Sequence, residues 1–139
     1  MKAEIIAIGT EILLGQIVNT NAQYMAEELA DLGVDVYFQG VVGDNRARIT
    51  EALQIASERS DLVVCCGGLG PTEDDLTKDV IAEFTQSKLV IEKQAEEKIL
   101  ELFKEGSDSL ITANKRQANT IEGSQLLKNE VGLAVGFVH

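Results

Sequence analysis

The chain has 139 residues, 45% of them hydrophobic and 25% charged, which is one domain's length with enough apolar residues for a core. Its formal charge of −11 excludes the basic footprint with which proteins grip nucleic-acid phosphates or an anionic membrane. A phosphorylated ligand is compatible only where local donors or a metal overturn that field, and without one the charge serves solubility.

The N-terminal run "AEIIAIG" (3–9) reads as a buried strand and is far too short for a signal sequence or a membrane span. A polar loop follows, and Thr20 and Gln23 have capping-box spacing at the start of a helix. That helix places Met25, Leu29 and Leu32 on one face and stops at Gly33. "VDVYFQGVV" (34–42) is a second strand, closed by Gly43, Asp44 and Asn45, and the next helix sets Ile49, Ala52, Leu53 and Ala56 on one side. "DLVVCC" (61–66) is the third strand, with Asp61 at the end away from any site at its carboxyl edge. Cys65 and Cys66 are adjacent, so in a strand they point to opposite faces and cannot chelate one metal together. They read as small buried hydrophobes, and the absence of a disulfide framework suits a cytoplasmic protein. The only histidine is His139, so neither His-based zinc nor Ser-His-Asp chemistry has support.

A third helix carries Leu76, Val80 and Phe84 at spacings of four. Beyond it "LVIE" is a brief extended piece, 92–105 a helix with Ala95, Ile99 and Leu102 inward, 109–118 a shorter helix, and "GLAVGFVH" a final strand. Strands alternating with helices through short connections imply α/β architecture with right-handed crossovers and a mainly parallel sheet. The chain stops inside that last apolar strand, as though cut.

Ligands of open parallel sheets bind beyond the carboxyl ends of the strands. The three loops found there are Gly9-Thr10-Glu11, Gly43-Asp44-Asn45 and Gly67-Gly68-Leu69-Gly70. Taken singly, each is explained by turns and helix N-caps. The third loop lacks the Gly-Lys-Ser/Thr of a Walker motif, and Glu73 stands where a dinucleotide fingerprint needs glycine. Its structural explanation is Thr72 as helix cap with Asp75 closing the box. One acid satisfies that role, yet three adjoin: Glu73, Asp74 and Asp75. Charges about 6 Å apart repel by roughly 0.7 kcal/mol in water and ~3 kcal/mol at intermediate dielectric. A hard cation such as Mg²⁺, bridged to phosphate oxygens that also meet glycine-loop amides, relieves that conflict. Equally, one aspartate accepts a hydrogen bond from a ligand hydroxyl or ring nitrogen without any metal.

Three stretches, "GTEILLGQIVNTNAQYMAEEL" (9–29), "GVVGDNR" (40–46) and "GGLGPTEDDLTKD" (67–79), closely resemble the N-terminal domain of the CinA family, the competence/damage-inducible proteins. "NKRQA" (114–118) and "NEVGLAVGF" (129–137) fit the later family pattern more loosely; Gly132-Leu133-Ala134-Val135-Gly136-Phe137 stands where the family usually reads Gly-Thr-Ala-Pro-Gly-Phe. The resemblance implies a MogA/MoaB-like molybdopterin-binding fold, three-layer α/β/α with a mainly parallel sheet, and a pocket for a pterin or nucleotide phosphate. It implies metal-dependent hydrolysis of ADP-ribose to AMP and ribose 5-phosphate; the alternative is a non-hydrolytic molybdopterin- or nucleotide-binding module in competence or molybdenum cofactor metabolism. Asp75 and Asp44 are the catalytic candidates, and Asp74 and Asp75 the candidates for holding Mg²⁺ or a similar divalent metal. Thr10, Glu11, Asn21, Gly67, Gly68, Leu69, Gly70, Thr72 and Thr77 are candidate ligand contacts. Lys115 and Arg116 join them, with a solvated helix end as the competing reading. Residues 1–139 are expected to be a single such domain, without the family's C-terminal nicotinamide-nucleotide amidase domain or its Pro-Gly-x-Pro stretch. The apolar end "LAVGFVH" is expected to favour a homo-oligomer, a dimer or trimer.

Overall fold

The computed structural model describes residues 1–139, and these fall into two compact units, Met1–Gly68 and Leu69–His139.

The first unit is built on strands β1 (Lys2–Ile8), β2 (Asp35–Val42) and β3 (Leu62–Cys66), with helices α1 (Thr10–Leu13), α2 (Thr20–Asp31) and α3 (Arg46–Arg59) between them. The strands form one parallel sheet in the order β2-β1-β3, with Ile8 opposite Val42 and Ala7 opposite Cys66. A central parallel strand is covered on both faces, which is why β1 reads as an unbroken apolar run: Ala3, Ile5, Ile6, Ala7 and Ile8 are all buried. The exception is Glu4, also buried. Its two carboxylate oxygens accept from Arg59 Nε at 2.8 Å and Nη2 at 2.7 Å, a forked pairing that compensates the buried charge. The guanidinium also lies 3.6 Å from the centre of the Phe38 ring.

The helices follow their apolar stripes with local corrections. In α3, Ile49, Leu53 and Ala56 are buried, as their spacing requires. In α2 the buried residue is Ala22, while Leu32, expected inward, is 78% exposed. It lies past the last helical turn, where Gly33 takes φ 75° and Val34 N–H closes on the Leu29 carbonyl. The cap is Asn19 rather than Thr20, its Oδ1 accepting from Ala22 N–H at 3.3 Å. Asp61 is no bystander: its carboxylate accepts the Lys2 N–H at 2.8 Å beside the sheet.

In the second unit α4 (Thr77–Phe84) is followed by β4 (Leu89–Ile91), α5 (Lys93–Leu102), α6 (Asp108–Lys115), a 3₁₀ turn at Arg116–Ala118, and β5 (Asn119–Ile121), β6 (Gln125–Leu127) and β7 (Gly136–Val138). The expectation for the final strand needs correcting. β7 pairs antiparallel with β6, and β4 pairs antiparallel with β5, so neither pair belongs to the parallel sheet. Leu102, expected inward, is 62% exposed, because the buried Ile99 shares its face with Phe103 four residues on. Val80, Ala82, Ile99, Ala118, Ile121 and Val135 are the unit's buried apolar residues. No helix is long and apolar enough to cross a membrane.

At the end of β3 the chain turns through Gly67 and Gly68, with φ of 91° and 60°. A Cβ on Gly67 would stand 2.0 Å from the Ile8 carbonyl oxygen, a backbone atom that cannot swing away. Gly67→Ala is therefore expected to lower the stability of the fold by about 1–3 kcal/mol in urea unfolding. Gly40→Ala, where nothing lies within 4 Å of the added carbon, is expected to be neutral or stabilising in the same experiment.

Candidate functional site

The Gly-rich motif does not run straight into a capped helix. α4 begins at Thr77, and its N-cap, Leu76, has no side-chain cap bond. Thr72 and Asp75 instead close a turn of their own ahead of the helix. Thr72 N–H donates to Asp75 Oδ2 at 2.8 Å, Thr72 Oγ1 donates to the same oxygen at 2.6 Å, and Asp75 N–H returns to the Thr72 carbonyl at 3.2 Å. Half of a capping box is present, the Asp75 carboxylate on the Thr72 amide, but the Asp75 N–H goes to the Thr72 carbonyl rather than its side chain, and the bonds fold a loop rather than start a helix. Gly70 N–H also donates to the Asp75 carboxylate. A Cβ on Gly70 would lie 2.7 Å from Asp75 Oδ2, so glycine is what lets the acid fold over the loop.

Electrostatics follow from those donors. Burial alone would raise the Asp75 pKa, but the Thr72 hydroxyl, the Gly70 and Thr72 amides and the Arg116 charge together bring it below the usual carboxylate value. Arg116 Nη2 reaches the Asp75 carbonyl at 3.2 Å and Asp79 Oδ2 at 3.0 Å. Glu73 and Asp74 are exposed, so of the three clustered acids only Asp75 is folded inward. The Thr77 side chain is buried. Lys115 is engaged with Glu96 at 3.0 Å, so both basic candidates of the 114–118 segment hold carboxylates of their own unit.

Lys78 was not legible as a candidate. It is 5% exposed, and its Nζ donates to the backbone carbonyls of Gln117 at 2.9 Å and Asn119 at 2.6 Å. Burial pushes its pKa down to about 8, against the opposing pull of Asp79. The apolar spacing of α4 marks positions 76, 80 and 84, and a lysine among the buried residues gives no periodic signal.

In the first unit, Thr10 and Asp44 repeat the same pairing across a long sequence gap. Thr10 N–H and Oγ1 both donate to Asp44 Oδ2, at 2.8 and 2.9 Å, and Asp44 N–H donates back to Thr10 Oγ1 at 3.1 Å. The loops after β1 and β2 are thus tied to one another at the carboxyl edge of the sheet. Asn45, next to Asp44, caps α3 through Arg48 N–H at 3.2 Å, as the structural explanation of such loops requires. Glu11 is exposed, its carboxyl folded back beside Gly9, and Asn21 is exposed in the first turn of α2. Cys65 and Cys66 are half-buried; burial, with Cys66 beside it, pushes the Cys65 thiol up to about 12, and burial raises Cys66 as well. A shallow depression of about 520 Å³ along α3, lined by Ala47, Thr50, Glu51, Gln54, Ile55 and Glu58, contains none of the motif residues.

No three His, Cys, Asp or Glu side chains come together to hold a metal ion. Calcium-type cages need such a set, whereas Mg²⁺ is commonly held by one or two carboxylates completed by substrate phosphate and water. The exposed Asp74 beside Asp75 fits only the second kind of site.

Residues 4–139 match the family described as "Probable molybdopterin binding domain". A competence-damage inducible protein of Streptococcus pneumoniae is 59% identical over 137 residues, covering 98% of this chain and 33% of that protein. The chain therefore spans about a third of the length of the curated relatives it matches. Among solved structures, the CinA protein of Thermoplasma acidophilum superposes with a TM-score of 0.85 at 37% identity, covering 98% of this chain and 79% of that one. The molybdopterin biosynthesis enzyme MoaB of Thermus thermophilus superposes with a TM-score of 0.58 at 22% identity, over 81% of this chain and 68% of that one, which shows the shared fold.

Two outcomes are expected from these environments. The Asp75 pKa is lowered on folding, so its contribution is full above the ordinary carboxylate pKa and is lost as pH falls through the lowered value. Asp75→Asn is expected to cost about 1 kcal/mol at pH 7, since solvent discounts a half-exposed carboxylate. The cost, read in urea melts, should vanish in acid. For Lys78 the sign is opposite. Its pKa falls from 10.5 to about 8 on folding, so the unfolded chain binds the extra proton between those values. The stability of the wild type relative to Lys78→Met is expected to rise with pH across that window, with the cysteine titrations cancelling between the two proteins.

Proposed function

This chain belongs to the CinA family and carries its MogA/MoaB-like domain, and from that premise we propose that it binds a nucleotide diphosphate and hydrolyses ADP-ribose to AMP and ribose 5-phosphate with a divalent metal. The observation that carries the reading is the turn at Gly70–Asp75, where a glycine amide and an aspartate of lowered pKa meet beside an open acid, Asp74. Asp74 and Asp75 would hold the metal, which when bound supplies charge neutralisation and polarisation of the phosphoryl group.

The rest falls to the chain's own groups. A carboxylate with a lowered pKa is a weak base, so Asp75 suits charge stabilisation and orientation of water better than proton abstraction. Water adds to one phosphorus, the anhydride P–O bond breaks, and the bridging oxygen leaves with the other phosphate. Lys115 and Arg116 reach a phosphate only by sharing or releasing Glu96 and Asp79.

Calorimetry with ADP-ribose and with molybdopterin, each with Mg²⁺ and after chelation, tests the proposal. ADP-ribose binding is expected to need the metal, because a chain of charge −11 with exposed acids at the turn opposes a bare diphosphate. Binding of equal tightness in chelator, or pterin binding with no release of AMP from ADP-ribose, would replace hydrolysis with the binding-module reading.

A further inference from the structure

Two cationic bridges run in opposite directions between the start of α4 and the 116–119 segment. From α4, the buried Lys78 Nζ donates to the carbonyls of Gln117 and Asn119. From the 3₁₀ turn, Arg116 Nη2 donates back to the Asp79 carboxylate and to the Asp75 carbonyl. The receiving segment is itself anchored: the Gln117 carbonyl also accepts Val135 N–H at 3.0 Å, and Gln117 Nε2 donates to the buried Asn114 at 2.8 Å. Asp75 precedes an N-cap that has no side-chain bond, so its backbone is fixed from outside its own turn by Arg116. Arg116 is partly exposed, with 36% of its side chain open to solvent, and would slacken if the segment carrying it moved. Of the two bridges that hold that segment to α4, the one from Lys78 is the buried one.

We propose that Lys78 is a positioning residue for Asp75, its ammonium clamping the Gln117 and Asn119 carbonyls so that Arg116 holds the Asp75 turn in register for the proposed reaction. The proposal rests on Asp75 being functional, but its structural half stands without that reading. A salt bridge or a cap could stabilise α4 as well; a lysine buried on two main-chain carbonyls instead fixes a distance, because it leaves little freedom for either partner. The lowered pKa is a consequence of that placement. The charged group that acts on Lys78 is Asp79, whose carboxylate Arg116 also holds.

The test compares wild type, Lys78→Met and Lys78→Arg in two measurements. Amide hydrogen exchange is read at Thr72 and Asp75, whose N–H groups close the turn, with Ile99 in α5 as reference. ADP-ribose hydrolysis is measured with saturating Mg²⁺. Lys78→Met is expected to speed exchange at Thr72 and Asp75 while leaving Ile99 unchanged, and to lower kcat by about ten- to a hundredfold with KM little altered. Lys78→Arg, which keeps the charge and the donors, is expected to recover most of both. Unchanged exchange at Thr72 and Asp75 in folded Lys78→Met overturns the proposal, as does faster exchange at Ile99 to the same degree, which would mark a merely structural lysine. If Lys78→Met does not fold, Lys78→Gln takes its place, and faster exchange confined to Thr72 and Asp75 is again the expected result. A wild type that releases no AMP overturns the hydrolase reading alone, and the exchange measurement still decides the role of Lys78.

Discussion

The Asp75 carboxylate is the acceptor on which the Gly70–Asp75 turn of the second unit depends. Thr72 donates both its amide and its hydroxyl to it, Gly70 adds a second amide, and Gly70 must lack a side chain for the acid to lie where it does. Those bonds explain why the helix starts late. In a capping box the Thr72 hydroxyl would accept the Asp75 N–H, whereas here it donates to the Asp75 carboxylate, and α4 begins at Thr77 behind an uncapped Leu76. The turn then relies on neighbours for its attachment, through Arg116 at the Asp75 carbonyl and Lys78 on the carbonyls beyond it.

The same bonding pattern occurs twice. Thr10 and Asp44, tens of residues apart, make the two-donor contact to a single Oδ2 that Thr72 and Asp75 make locally. In each, a threonine amide and hydroxyl converge on one carboxylate oxygen, so a charge is held in a defined orientation by neutral donors. This differs from the Glu4–Arg59 pair inside the sheet, where a buried charge is matched by a full opposite charge. Neutral donors orient an acid while leaving in place its negative charge, which a forked guanidinium on the same oxygens would offset.

What could be read from the sequence was the periodic part. β1 as an apolar run, the Ile49–Leu53–Ala56 stripe and the stop at Gly33 follow from spacing alone, and the parallel sheet follows from the alternation. Capping was less legible. Thr20 and Thr72 both sit at box spacing, yet Asn19 caps α2 and Thr72 caps nothing, because a box pattern is equally able to close a free turn. β5, β6 and β7 are three residues each, too short to show a period, and their antiparallel pairing is set by contacts across the second unit. Of the site, the motif acids were visible as a cluster. Which one folds inward, and that a lysine would be buried close by, depend on tertiary contacts that carry no local sequence signal.

Read as a string, the crowding of Glu73, Asp74 and Asp75 is a conflict that a metal would relieve. With Asp75 stabilised by its donors and by the Arg116 charge, and Glu73 and Asp74 open to water, the remaining repulsion is of the screened kind, roughly 0.7 kcal/mol per pair at about 6 Å. The free chain therefore tolerates its acids without help. The conflict returns only when a ligand brings its own negative charge to the turn, displaces water and lowers the local dielectric, which raises each repulsion several-fold. A metal requirement would then belong to the complex rather than to the fold. That is why stability of the chain alone says nothing for or against the metal, and why binding measured with and without chelator is the quantity that does.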